Sequence, residues 1–285
     1  MFWWYYRSSY RVEDPNKPWP IVLWLQGGPG ASGVGTGNFQ EVGPLDTNLK
    51  PRNSTWLRKA DLLFVDNPVG AGYSFVEDNK LFVKTDVEAA TDLTTLLIEI
   101  FNRNQSLQQS PLYIVAESYG GKFAVTLALS AHKAIQSGKL KLKLGGVALG
   151  DSWISPEDFV DFYNFLLDSG MDPLSLTSSE LSKSIGMKRY SRYLQSSRIN
   201  PGGDDDLDNL MNGVIRKKLK IIPQNISWGG QSDSVFSVLK GDFMKPRIDE
   251  VDELLAKGVN VTVYNGQLDL ICATKGTEAW VQKLK

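Results

Sequence analysis

A serine flanked by small residues sits where a buried strand gives way to a helix. This junction constrains the fold more than any other stretch of the chain. Pro111-Leu-Tyr-Ile-Val115 is a short apolar run that reads as a buried strand, and Lys122 to Leu129 reads as a helix. Between them stands Ala116-Glu117-Ser118-Tyr119-Gly120-Gly121. A turn this tight needs small residues two before and two after its tip, and Ala116 and Gly120 supply them. Ser118 is thereby presented as a candidate nucleophile. Alone, it has a plainer reading as the N-cap of the helix that follows.

Strand and helix alternate around this junction. Ile21–Leu25, Asp61–Val65, 111–115 and Leu140–Leu149 read as strands, and residues 86–101 place apolar side chains at helical spacing. Such alternation predicts a parallel sheet covered on both faces, an α/β fold. Residues 157–240 change character and suggest amphipathic helices. They are expected to form a helical cap inserted into a core made of 1–156 and 241–285. Val259–Tyr264 reads as a late strand and Ala273–Leu284 as a last helix. Asp204–Asp208 lacks the glycine and terminal glutamate of a calcium loop and reads as a solvated acidic turn. Lys217, Lys218 and Lys220 read as a solvated basic face, and no metal or other cofactor is implied.

The first strand runs into Gln26-Gly-Gly-Pro-Gly-Ala-Ser-Gly33, where residues 28–33 match the dinucleotide pattern G-x-G-x-x-G. That reading needs a firm helix start. Gly33, Gly35 and Gly37 are expected to weaken one, and Pro29 removes a backbone donor. A glycine-rich loop has another use beside a nucleophile: its bare backbone N–H is half of an oxyanion hole, with the other half from the residue after the serine. Tyr119 is the residue after the serine, and the chain reads as an α/β-hydrolase with a mostly parallel, doubly wound sheet. Asp269 follows a late strand, where that fold carries its triad acid. The only histidine, His132, lies 14 residues beyond Ser118. On a helix that is ~20 Å away, so His132 reads as a surface residue and no general base is found.

Five segments together resemble the serine carboxypeptidases, especially the plant serine carboxypeptidase-like and retinoid-inducible group. They are Trp24–Gly30, Phe39–Pro44, Phe64–Gly70 with Gly72–Ser74, Glu117–Gly121 and Val263–Asp269. The resemblance implies acyl-enzyme chemistry that releases C-terminal residues from peptides, with Ser118 as nucleophile, Asp269 as acid, and the N–H groups of Gly28 and Tyr119 as oxyanion hole. It also implies recognition of the substrate's terminal carboxylate by Gln26, Gly27, Glu41 and Glu117, where Gln26 stands in place of an Asn. Two neighbouring carboxyls raise one another's pKa, so an acidic optimum is expected of a full-length relative. Against the family pattern the chain is expected to be shortened at both ends, without the leading segment and the portion that carries the histidine. Ala31 stands where the family has a cysteine of a disulfide. Two further functions fit the resemblance: a non-catalytic carboxylate or peptide-binding pseudoenzyme, and an acyltransferase. Glu117 and Gly120 suit the peptidase type better than the acyltransferase.

A net charge of -1 argues against binding nucleic acid or membrane surfaces through bulk electrostatics. No run approaches the ~18 apolar residues of a membrane span. The expected partner is a peptide or protein C-terminus; oligomeric state is left open. Family members are secreted or vacuolar/lysosomal glycoproteins, and Asn53, Asn104, Asn225 and Asn260 head glycosylation sequons, although the N-terminus has no signal-peptide pattern. Cys272 stands alone, so no internal disulfide forms.

Overall fold

The computed structural model describes residues 1–12, 14, 16–168 and 204–285. The part of the expected cap at 169–203 lies outside them. Six strands form one sheet: β1 (Trp3–Tyr6), β2 (Ile21–Leu25), β3 (Asp61–Val65), β4 (Pro111–Glu117), β5 (Lys143–Gly150) and β6 (Val261–Tyr264). Their order is β1-β3-β2-β4-β5-β6. β1 runs antiparallel on β3, and every other pairing is parallel.

The central strands read as unbroken apolar runs because both faces are buried. Ile21, Leu23, Leu25, Leu63, Val65 and Ile114 enter one core cluster. There they meet residues of α1 (Asp86–Arg103), α3 (Gly120–Gln136) and α8 (Ile248–Ala256). The alternate residues Trp24, Leu62, Phe64 and Val115 enter a second cluster with Val34, Phe39, Met211 and Trp228. The sheet is therefore doubly wound. From β2 the chain moves one way to β3, then crosses back to place β4 on the other flank of β2. The loops leaving the carboxyl ends of β2 and β4 part at this switch point, which opens a crevice between them.

The remaining helices are α2 (Gln105–Gln108), α4 (Pro156–Asp168), α5 (Asp204–Asn209), α6 (Arg216–Leu219), α7 (Asp233–Val238) and α9 (Thr274–Val281). Two expectations fail here. Asp204–Asp208 opens α5 and is not a turn; acidic residues suit the positive end of a helix. A helix also does form across the glycines, as a π-helix over Gly33–Val42. Its glycines are packing requirements: a Cβ on Gly33 would meet the Val65 carbonyl oxygen at 2.5 Å, and one on Gly37 would meet the Trp24 indole at 2.5 Å. Its first donors are already engaged. Val34 N–H donates to Asp66 Oδ1 (3.1 Å) and Gly35 N–H to Ser32 Oγ (2.9 Å), while Ser32 Oγ donates to Asp66 Oδ1 (2.5 Å). The buried Asp66 carboxyl, pushed up to about 6 by burial, occupies the place a phosphate would need.

Beneath the Ser118 turn lies a buried cluster of charges. Lys122 Nζ is 3.1 Å from Asp242 Oδ2, and both side chains are fully buried. Tyr119 donates its hydroxyl to the same oxygen (2.7 Å). Arg247 grips Asp86 through Nε and Nη2, each at 2.6 Å, and its Nη2 lies 3.5 Å from Asp242 Oδ1. Two cations thus face two carboxylates, fastening α3 to the start of α1 and to the stretch 242–247.

Candidate active site

Ser118 sits at the junction of β4 and α3 with φ 57°, a left-handed conformation that side chains rarely adopt. The cap position of α3 is Tyr119, which makes no side-chain cap bond, so Ser118 is not an N-cap. The turn is fixed from both sides. Ser118 N–H donates to the Gly150 carbonyl (3.1 Å), and the Ser118 carbonyl accepts from Trp153 N–H (2.9 Å). Gly27 passes so close that a Cβ on it would meet Ser118 Cβ at 2.7 Å. A Cβ on Gly120 would meet the backbone oxygen of Leu25 at 2.5 Å. Gly120→Ala must therefore push the end of β2 away from the turn. A destabilisation of about 1–3 kcal/mol is expected, read from the midpoint of urea unfolding; an unchanged midpoint would contradict the close approach.

Gln26, Glu41 and Glu117 come together. The Gln26 Nε2 amide donates to Glu41 Oε1 and Glu117 Oε2, both at 3.1 Å, and its Oε1 accepts from Trp24 Nε1 (2.7 Å). Both amide hydrogens are thus committed to the two carboxyls. Burial, then the charge of Glu117, pushes Glu41 up to about 8. Burial also raises Glu117, against the hydrogen bond from Gln26. The two carboxyls also share a hydrogen bond, which raises Glu41 and lowers Glu117. A protonated carboxyl beside an ionised one offers an O–H donor together with a polarised wall, which is suited to holding a carboxylate.

Gly28 follows Gly27 with φ 111°, in a loop that turns back through the Ala31 N–H to Gly27 carbonyl bond (3.2 Å). Tyr119 continues from Ser118, and its side chain is buried below the site, over Lys122 and Phe243. Asp269 lies in the loop after β6, where its Oδ1 accepts from the N–H groups of Ile271 (2.8 Å) and Cys272 (2.9 Å). Burial raises its pKa against those two bonds. His132 is in α3 and is partly exposed, with its Nδ1 sealed from solvent and without a hydrogen-bond partner. Asn53, Asn104, Asn225 and Asn260 are all exposed.

Two residues at the site escaped the sequence reading. Asp151 follows β5 with φ 41°. Its N–H donates to the Tyr264 carbonyl (3.0 Å), and its Oδ1 accepts from Gly266 N–H (2.6 Å). It ties the Asp269 loop to the strand end that holds Ser118. Tyr264 closes β6 on the same flank. The available signal was position alone, since both stand at the carboxyl ends of parallel strands. Among the described residues no cluster of metal-ligating side chains exists and no helix is long and apolar enough to cross a membrane.

Comparison with known proteins bears on this geometry. The family model described as serine carboxypeptidase matches residues 1–200 and 163–285. Serine carboxypeptidase-like 51 of Arabidopsis thaliana is 59% identical over 349 aligned positions, covering 100% of this chain and 76% of that protein. The human retinoid-inducible serine carboxypeptidase is 43% identical, covering 100% of this chain and 75% of its own length. The chain thus spans about three quarters of these relatives. The alignment with the Arabidopsis protein is longer than the 285 residues here, so that relative carries residues inside the aligned span with no counterpart in this chain. Among solved structures, the prohormone-processing carboxypeptidase Kex1 of Saccharomyces cerevisiae superposes with TM-score 0.72 at 19% identity, over 99% of this chain and 72% of that one; it speaks to the fold.

Proposed function

The chain belongs to the serine carboxypeptidase family, a family of peptidases, and from that premise we propose how its residues divide the work. Ser118 Oγ is the nucleophile that attacks the last peptide carbonyl. The N–H groups of Gly28 and Tyr119 receive the oxyanion. Gly27, Glu41 and Glu117 hold the terminal carboxylate, with Gln26 fixing the two glutamates in place, which confines the reaction to chain ends. Asp269 is the acid that would orient an imidazole, and residues 157–240 form the cap over a core of 1–156 and 241–285. The observation that carries this reading is the glutamate pair joined through one amide, with Glu41 pushed up to about 8. That pair is a carboxylate receptor placed beside a strained serine.

The reaction also needs a base to take the Ser118 proton, and the single histidine of this chain lies in α3. We therefore propose that this form binds peptide C-termini and turns them over slowly. Loss of the triad base costs on the order of 10⁶-fold in kcat in a serine protease. The binding-only reading is favoured by the histidine count; the acyltransferase reading is disfavoured by Glu117 and Gly120. The exposed sequons at Asn53, Asn104, Asn225 and Asn260 fit passage through a secretory or vacuolar/lysosomal compartment.

A fluorophosphonate probe separates these readings. Slow labelling at Ser118, abolished in Ser118→Ala, is the expected result, read by peptide mass spectrometry. Affinity for a blocked dipeptide should persist in that variant. Labelling elsewhere, or none together with no peptide affinity, removes the assignment.

A further inference from the structure

The carboxyl ends of three neighbouring strands bring one row of positions to a single face. Glu117 pairs in register with Gly150, and Gly150 with Tyr264. Register partners in a parallel sheet point to the same side. Gln26 reaches the near end of this row through its bond to Glu117. Gly150 supplies no side chain, and the space is used: a Cβ there would collide with the Tyr264 ring and with its hydroxyl. The ring therefore lies across β5 and directs its hydroxyl towards Glu117.

Three features make this hydroxyl a donor in search of an acceptor. Tyr264 is 40% exposed, so a ligand can reach it. Burial of the ring, then the charges of Glu117, Asp151 and Glu41, push the phenol up to about 12 and keep it protonated. No described residue accepts its hydrogen. On the other side of Glu117, both hydrogens of the Gln26 amide are already taken by the two glutamates. A carboxylate placed against Glu41 and Glu117 thus lacks a second side-chain donor unless Tyr264 provides it.

We propose that Tyr264 is a substrate-binding residue whose phenolic hydroxyl donates a hydrogen bond to the C-terminal carboxylate of the bound peptide. The inference rests on the carboxylate-binding reading of Gln26, Glu41 and Glu117, and adds to that set a residue from a different strand. Gly150 is its structural counterpart, because any side chain there would displace the ring.

The test is calorimetric binding of an N-blocked dipeptide, benzyloxycarbonyl-Phe-Leu, and of its C-terminal amide, to the chain and to Tyr264→Phe. Phenylalanine keeps the ring over Gly150, and an unchanged unfolding midpoint checks the fold. The free acid is expected to bind Tyr264→Phe about tenfold or more weakly, as for a hydrogen bond to a charged group, while the amide is little affected. An acid-over-amide preference that Tyr264→Phe retains in full overturns this inference alone. Absence of that preference in the unaltered chain overturns the carboxylate-binding reading, and this inference with it.

Discussion

Asp242→Ala is expected to destabilise the folded chain by about 3–5 kcal/mol, the cost of leaving a buried charge without its partner. Lys122 and Asp242 have no exposed side-chain surface. Burial works against ionising Asp242, yet Lys122, Tyr119 and Arg247 hold its carboxyl below the usual range. Burial lowers Lys122 against the pull of Asp242 and Asp86. Removing Asp242 strands that ammonium and leaves the Tyr119 hydroxyl without its acceptor. Solvent cannot compensate, because Phe243 and Phe123 pack against the Tyr119 ring. Guanidinium unfolding monitored by tryptophan fluorescence checks the size of the loss. The paired change Lys122→Met with Asp242→Leu should cost less than Asp242→Ala, since no lone charge remains. A single-variant loss under about 1 kcal/mol would show that the cluster does not hold the turn.

The second large effect concerns pH. Glu41 has an ordinary value of 4.5, and in the fold it is pushed up to about 8 by burial and by Glu117. Across that window the folded chain keeps a proton that the unfolded chain releases. Its contribution to stability is therefore full below about 4.5 and falls as pH rises towards about 8. Peptide affinity should follow the same proton: above pH 8 the Glu41 O–H is lost, two carboxylates face the ligand, and affinity drops ~10-fold per pH unit. Glu41→Gln cannot titrate yet retains an N–H donor. The variant should show a shallower fall in unfolding midpoint between pH 5 and pH 8. Its peptide affinity should vary little over the same range and on to pH 9. Parallel pH slopes in the two proteins would remove Glu41 as the titrating group.

The sequence carried the strands well because each central one is buried on both faces and reads as an apolar run, as in Ile21–Leu25 and Asp61–Val65. The Ser118 turn was legible because its requirement for small neighbours is local, and the structure gives the reason in the approach of Gly120 to Leu25. The glutamate pair had no local signature. Glu41 and Glu117 lie far apart in the chain and became visible only through resemblance. The π-helix was missed because helix propensity penalises glycine, whereas Gly33 and Gly37 are set by Val65 and Trp24, which no local window contains. Lys122 with Asp242, and Asp86 with Arg247, are likewise paired across more than a hundred residues. Asp151 and Tyr264 acquire meaning only from strand register.

The charge cluster under Ser118 has a bearing on which changes of length the fold can absorb. Chain leaves the sheet region after β5 and is pinned again at Asp242 and Arg247, directly beneath Tyr119 and Lys122. That return point is defined by charge pairing and burial, so it is indifferent to how many residues lie between. A change in the length of the intervening stretch would therefore leave the nucleophile where it is. The cluster works as a fixed address to which an evolving excursion reports back.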